Sequence, residues 1–124
     1  TGEDTLSLHD ALPISPLYDV LSTQPLLDAG QLAKKQMKMS MAVGKSRYYA
    51  VDAIQPRHFL QTAAACGLPD KMVYALFDEL IGQGDDALEK ALSAMPAKFP
   101  EALGNSIAEG FRRRHGLLAS SRQA

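Results

Sequence analysis

The sequence predicts a mainly α-helical chain with one small β-hairpin, on three observations. Between Met37 and Val43 the apolar residues fall at alternate positions, which is the period of a half-buried strand. After Ala53 they recur at helical spacing, in stretches with recognisable start and stop residues. The 124 residues are 46% apolar and 22% charged, enough apolar surface for a core and an argument against disorder. This length suits one domain rather than two.

Taken in order, "PLYDVLS" (Pro16 to Ser22) gathers Leu17, Tyr18, Val20 and Leu21 around one acid and predicts a buried strand end running into a turn. "TQPLLDAG" carries Pro25 and Gly30 and predicts a loop or short helical turn. Met37, Met39, Met41 and Val43 then alternate with Lys38 and Ser40, giving a strand. A turn at Gly44 to Ser46 and a return strand from Tyr48 to Val51 complete a hairpin. The rival is a helix, because Leu32, Gln36, Met39 and Val43 also lie near one helical face; the strict alternation favours the hairpin.

Pro56 suits a first helical position, and "RHFLQTAAACG" runs to a stop at Gly67. The next helix starts near Pro69 and Asp70, with Val73, Leu76, Phe77 and Leu80 as one stripe and Leu88, Ala91, Leu92 and Met95 as another. Phe77 and Leu88 are about three whole turns apart, so the stripes stay in phase across Gly82 and Gly84. One helix is expected, although each glycine costs about 1 kcal/mol against alanine. The last helix opens with Pro100 and Glu101 and turns Leu103, Ile107, Phe111 and Leu118 inward.

Several classes of function are excluded or weakened. No apolar run approaches the roughly 20 residues of a membrane span. Cys66 is the only cysteine, so there is no intrachain disulfide and no cysteine zinc cluster; a reducing cytoplasm is the expected location. "GKS" (Gly44 to Ser46) lacks the earlier glycine of a phosphate-binding loop, where Met39 stands, and reads as a hairpin turn. His58 and His115 have no second ligand at metal spacing and read as structural. Arg112, Arg113 and Arg114 fan across roughly 200 degrees of helix and read as a solvated face. The helix after Pro56 has no cation beyond Arg57 and is poorly equipped as a DNA reader.

Asp19 is the sharpest feature, because a carboxylate flanked by apolar residues must be paired, hydrogen-bonded or bound to a cation once buried. Spacing alone favours a cap that accepts backbone N–H bonds near Leu21 and Ser22.

"PLYDVLS", "KMSMAVG" (Lys38 to Gly44) and "QPRHFLQTA" (Gln55 to Ala63), in that order and followed by two long helices, resemble the end of a HipA-family serine/threonine kinase. Members of that family are the toxins of bacterial toxin and antitoxin pairs. The resemblance covers Pro16 to about Leu118. It implies part of the helical C-lobe of a protein-kinase-like fold and transfer of the ATP γ-phosphoryl group to a Ser or Thr of a protein. It makes Asp19, the aspartate of the "YD" motif, a ligand of the Mg2+ carried by ATP. The chemistry suits the residue, since Mg2+ takes one or two carboxylates together with phosphate oxygens. The family's catalytic loop, Asp-x-His-x-x-Asn, and its ATP-holding lysine lie upstream of "YD" and have no counterpart here; His9 and Asp10 stand in the wrong order. No catalytic residue is therefore assigned, and the chain by itself is expected to be inactive. The implied partners are the missing N-terminal part of the kinase, an antitoxin of the HipB type, DNA through that antitoxin, and a protein substrate, with no membrane.

Residues 1–15 carry Glu3, Asp4 and Asp10 and no Lys or Arg, which does not fit an export signal. Without them the chain holds 13 basic residues against 11 acidic, too mild an excess to imply nucleic acid. "TLSLHDALPIS" (Thr5 to Ser15) can be back-translated to ACT CTT TCC CTA CAC GAC GCT CTT CCG ATC T, which resembles a sequencing-library adapter read in one frame. Residues 1–15 are accordingly expected to be a non-native, disordered leader, and 16–124 the kinase-lobe part. The competing expectation is a non-catalytic α-helical interaction module that binds a protein partner or nucleic acid through its arginine-bearing last helix.

Overall fold

The computed structural model describes residues 21–123. The leader 1–15, with His9 and Asp10, and residues 16–20 of the first motif, with Asp19, lie outside the described residues. The described chain is mainly helical with one two-stranded antiparallel hairpin.

Helix α1 (Gln24–Asp28) is a single turn and a half, with Pro25 in its first turn and Gly30 at φ 75° just beyond its end. A 3-10 turn at Lys34–Gln36 leads into β1 (Lys38–Val43), which pairs with β2 (Tyr48–Ala50). The expected hairpin and its turn are both present. The expected half-burial of β1 is not: Val43 is buried, but Met41 is 75% exposed. The register shifts between the Val43–Tyr48 pair and the Lys38–Ala50 pair. Such a slip reassigns which side chains share a face, so strict alternation in the sequence does not become an alternation of burial.

A second 3-10 turn, Val51–Ala53, leads to α2 (Pro56–Ala65). Its end is closed by the Leu68 N–H donating to the Ala63 carbonyl at 2.8 Å, with Gly67 at φ 79°. This is the left-handed closure that glycine supplies without strain. Helix α3 (Asp70–Ser93) runs unbroken through Gly82 and Gly84, and α4 (Glu101–Gln123) returns antiparallel to it, with Asp78 near Arg122, Gly84 near His115 and Leu92 near Gly104.

The core is small: Ala63, Val73 and Phe77, with Leu60 and Leu118 packed against them. Here the inner faces differ from expectation. Leu76 and Leu80 are 54% and 58% exposed, and Leu92, Met95, Leu103, Ile107 and Phe111 are also exposed. Val73 and Phe77 are buried and Leu118 packs on the core, as expected, and the other buried positions on α3 and α4 are Gly84, Gly104, Ala108 and Gly110. Small residues occupy the seam because they let the two backbones approach, while the larger apolar side chains flank it. Hydrophobicity located the helices correctly, but the closest contact was set by side-chain size.

Candidate functional site

The second and third motif segments meet at the junction of the hairpin turn with α2. The Gly44 N–H donates to Thr62 Oγ1 at 2.8 Å, and the Lys45 N–H donates to Gln61 Oε1 at 2.7 Å. Two amides that β2 leaves unpaired are thus satisfied by side chains of adjacent residues on the helix. Gly44 sits at φ 89°, and a Cβ there would lie 3.0 Å from the Cβ of His58, so glycine is required both by conformation and by space. His58, 2% exposed, lays its ring on Tyr48 with centroids 4.1 Å apart. Its Nδ1 accepts the Gln55 N–H at 2.9 Å, which caps α2 and places the remaining proton on Nε2.

A polar relay joins α1 to α4. Gln24, 2% exposed, donates from Nε2 to Asp28 Oδ1 at 2.8 Å, and its Oε1 accepts from Arg114 at 2.8 Å and Arg113 at 3.3 Å. Ser106 Oγ donates to the other oxygen of Asp28. The bonds from Ser106 and Gln24 hold the Asp28 carboxyl below the usual carboxylate value. Burial pulls the Arg114 guanidinium down from its ordinary value, assisted by Arg113 and opposed by Asp28. Gly110 makes room for the relay, since a Cβ there would lie 2.8 Å from the Gln24 side chain.

The third set of contacts locks α4 along α3. The His115 ring fills the notch left by Gly84, where a Cβ would overlap it, and Nε2 donates to the Ile81 carbonyl at 3.0 Å. Phe111 stacks on the other side of that ring at 5.7 Å. Towards the chain end Arg122 grips Asp78 with two bonds, of 2.8 and 3.1 Å, and lies 4.3 Å over the Tyr74 ring. Asp78 is held below its usual value by this bond, and Arg122 is raised by it.

The residues singled out by sequence are distributed unevenly among these contacts. His58 and His115 both make structural contacts, as expected. Arg112, Arg113 and Arg114 are all exposed, as expected of a solvated face, and Arg113 and Arg114 also reach Gln24. Asp19, the expected metal and nucleotide ligand, lies outside the described residues. Among the described residues no group of three His, Cys, Asp or Glu side chains could hold a metal ion. An open groove of about 470 Å³ between α3 and α4 is lined by Asp85, Glu89, Ser93 and Arg112, among others. No helix among the described residues is long and apolar enough to cross a membrane.

Sequence reasoning missed the Gln24 relay and the His115 notch. The relay left no signal, since a glutamine before a proline is common in turns. The notch left one: Gly84 lies two helical turns after Phe77, and His115 two turns after Ala108, so both sit in phase with buried positions. No protein-family model matches the chain.

Proposed function

We propose that residues 16–124 are the C-terminal part of the helical lobe of a HipA-like serine/threonine kinase, in which Asp19 holds the Mg2+ of ATP. The observation that carries this reading is the convergence of two of its three motifs. Residues 38–44 and 55–63, separated in the chain, interlock through the Gly44 to Thr62 and Lys45 to Gln61 bonds and through the Tyr48 and His58 rings. The packing of these two segments on one another supports reading them as parts of one structural unit. The order of elements, a hairpin and then a short and two long helices, fits the same reading.

In the intact kinase the reaction is phosphoryl transfer from ATP to a protein hydroxyl, where positioning and charge neutralisation do most of the work. The bound Mg2+ supplies the neutralising charge. This chain contributes Asp19 as its ligand. The general base and the ATP-binding lysine come from upstream, so the chain alone does not turn over. An HipB-type antitoxin, and DNA through it, are the partners this reading carries, in the cytoplasm.

Two experiments test it. The genomic DNA upstream of Pro16 should continue in an open frame that carries an Asp-x-His-x-x-Asn motif; a start codon next to Pro16 refutes the reading. In the protein restored with that upstream sequence, Asp19→Asn should abolish transfer of phosphate from radiolabelled ATP while leaving the circular dichroism spectrum unchanged. Retained transfer refutes the metal assignment.

One observation favours the second reading, a non-catalytic helical module that binds a protein. Met72, Leu76 and Leu80 follow one another at helical spacing in the first half of α3, with Leu68 just before it, all exposed. A version of that reading in which the last helix grips nucleic acid is weakened by the commitment of Arg113 and Arg114 to Gln24.

A further inference from the structure

The two-stranded sheet is unusually open. Every residue of β1 from Lys38 to Met41 is exposed, and among the described residues only β2 pairs with it. A lone pair of strands is barely stable in water, and among the described residues the second edge of β1 has no strand partner for its N–H and C=O groups. Helix α2 braces the turn end of the hairpin, through Gly44, Lys45 and Tyr48.

Charge and side-chain chemistry define what this edge would accept. Between residues 29 and 51 stand Lys34, Lys35, Lys38, Lys45 and Arg47 and no acid. All five are exposed, and none forms an ion pair with a described residue. Lysine on an edge strand ordinarily blocks pairing, but here the lysines stand at the start of β1 and in the turn, while its centre is Met39–Ser40–Met41 with both methionines exposed. Methionine is the side chain that adapts to varied apolar partners. A nucleic acid backbone would require cations along the strand, where the methionines are, and Arg47 is already turned to the Tyr49 hydroxyl at 3.3 Å. An extended peptide matches every feature: main-chain bonds to the edge, apolar side chains on the methionines and acids against the flanking lysines.

We propose that the free edge of β1 is a docking site for an extended acidic segment of a partner protein, added as a third strand. This inference does not depend on the kinase reading, since it uses only the hairpin.

The test uses the full chain, isotopically labelled, and a fluorescein-tagged peptide of alternating valine and glutamate. The peptide should bind in fluorescence anisotropy, with amide shifts concentrated on Lys38–Val43. The double variant Lys38→Glu, Lys45→Glu, both at exposed positions, should weaken it roughly tenfold or more at low salt. Met41→Glu should weaken it as well. The proposal is overturned if a valine and lysine peptide or duplex DNA binds as tightly as the acidic peptide. It is equally overturned if the acidic peptide does not bind, if the shifts fall on α3 and α4, or if the lysine variant binds unchanged. A chain that dimerises through β1 and is not dissociated by the peptide also overturns it, in favour of a second copy as the occupant.

Discussion

The hairpin with α2 and the pair α3–α4 are held together by different physics. The first is a polar joint: two backbone amides of the turn are satisfied by Thr62 and Gln61, and a buried histidine caps the helix while stacking on a tyrosine. The second is a size-complementary seam with small residues at its closest approach, keyed by His115 in the Gly84 notch and tied near one end by Asp78. The first region carries lysines and no acid from 29 to 51. On α3, Asp70, Asp78, Glu79, Asp85, Asp86 and Glu89 outnumber Lys71 and Lys90. A polar joint is specified by individual atoms and breaks at one substitution. A seam is specified by volume, and it tolerates changes outside the notch.

His58→Ala should give the largest effect if this contrast is right. It removes the cap of α2, the stack on Tyr48 and the filling of a buried site together, and should cost about 2–4 kcal/mol in urea denaturation. A cost below about 1 kcal/mol would mean that the joint is not the single-residue structure described here.

Gly84→Ala should follow, at about 1–3 kcal/mol destabilising, because overpacking against His115 exceeds the roughly 1 kcal/mol that alanine gains in a helix. Gly82→Ala is its control: a Cβ there meets nothing within 4 Å, so this variant should be more stable than the parent. The pair sharpens the comparison because two glycines on one helix move stability in opposite directions. Equal effects in thermal melts would dismiss the notch.

Thr62→Val keeps the shape of the side chain and deletes one bond, so a loss of about 1 kcal/mol is expected, with faster hydrogen exchange at the Gly44 amide. Unchanged exchange there would show that the turn does not lean on α2.

Acid provides the mildest test. Asp28 and Asp78 both titrate below their usual value in the folded chain, so their contribution is complete above the unfolded carboxylate range and is lost as pH falls through the folded values, below about pH 4. Amide exchange in α1 and at the end of α4 should therefore quicken in acid, while the Gly44 and Lys45 amides, held by neutral acceptors, should change less. Asp78→Asn should remove the effect at the end of α4 and leave α1 alone.

The elements were legible because their signals are local. Pro56, Gly67, Pro69 and Pro100 mark helix ends by what their backbones permit, and Gly44 marks the turn in the same way. One long α3 was legible from the phase of Phe77 and Leu88, despite two glycines. The candidate site was legible only in part. The three motifs could be read from the chain, but Thr62 and Gln61 as acceptors for the turn could not, since nothing in "FLQTA" says which backbone will approach it.

What the amino-acid sequence determined by itself is the kind and order of the elements: hairpin, short helix, two long helices. Backbone preferences and hydrophobic period act over a few residues, so they are written in the chain directly. Only the tertiary structure decided which side of each helix is inside. That choice depended on how closely two backbones could come, and Gly84 and Ala108 allowed an approach that Leu76, Leu80 and Ile107, though more apolar, would have prevented.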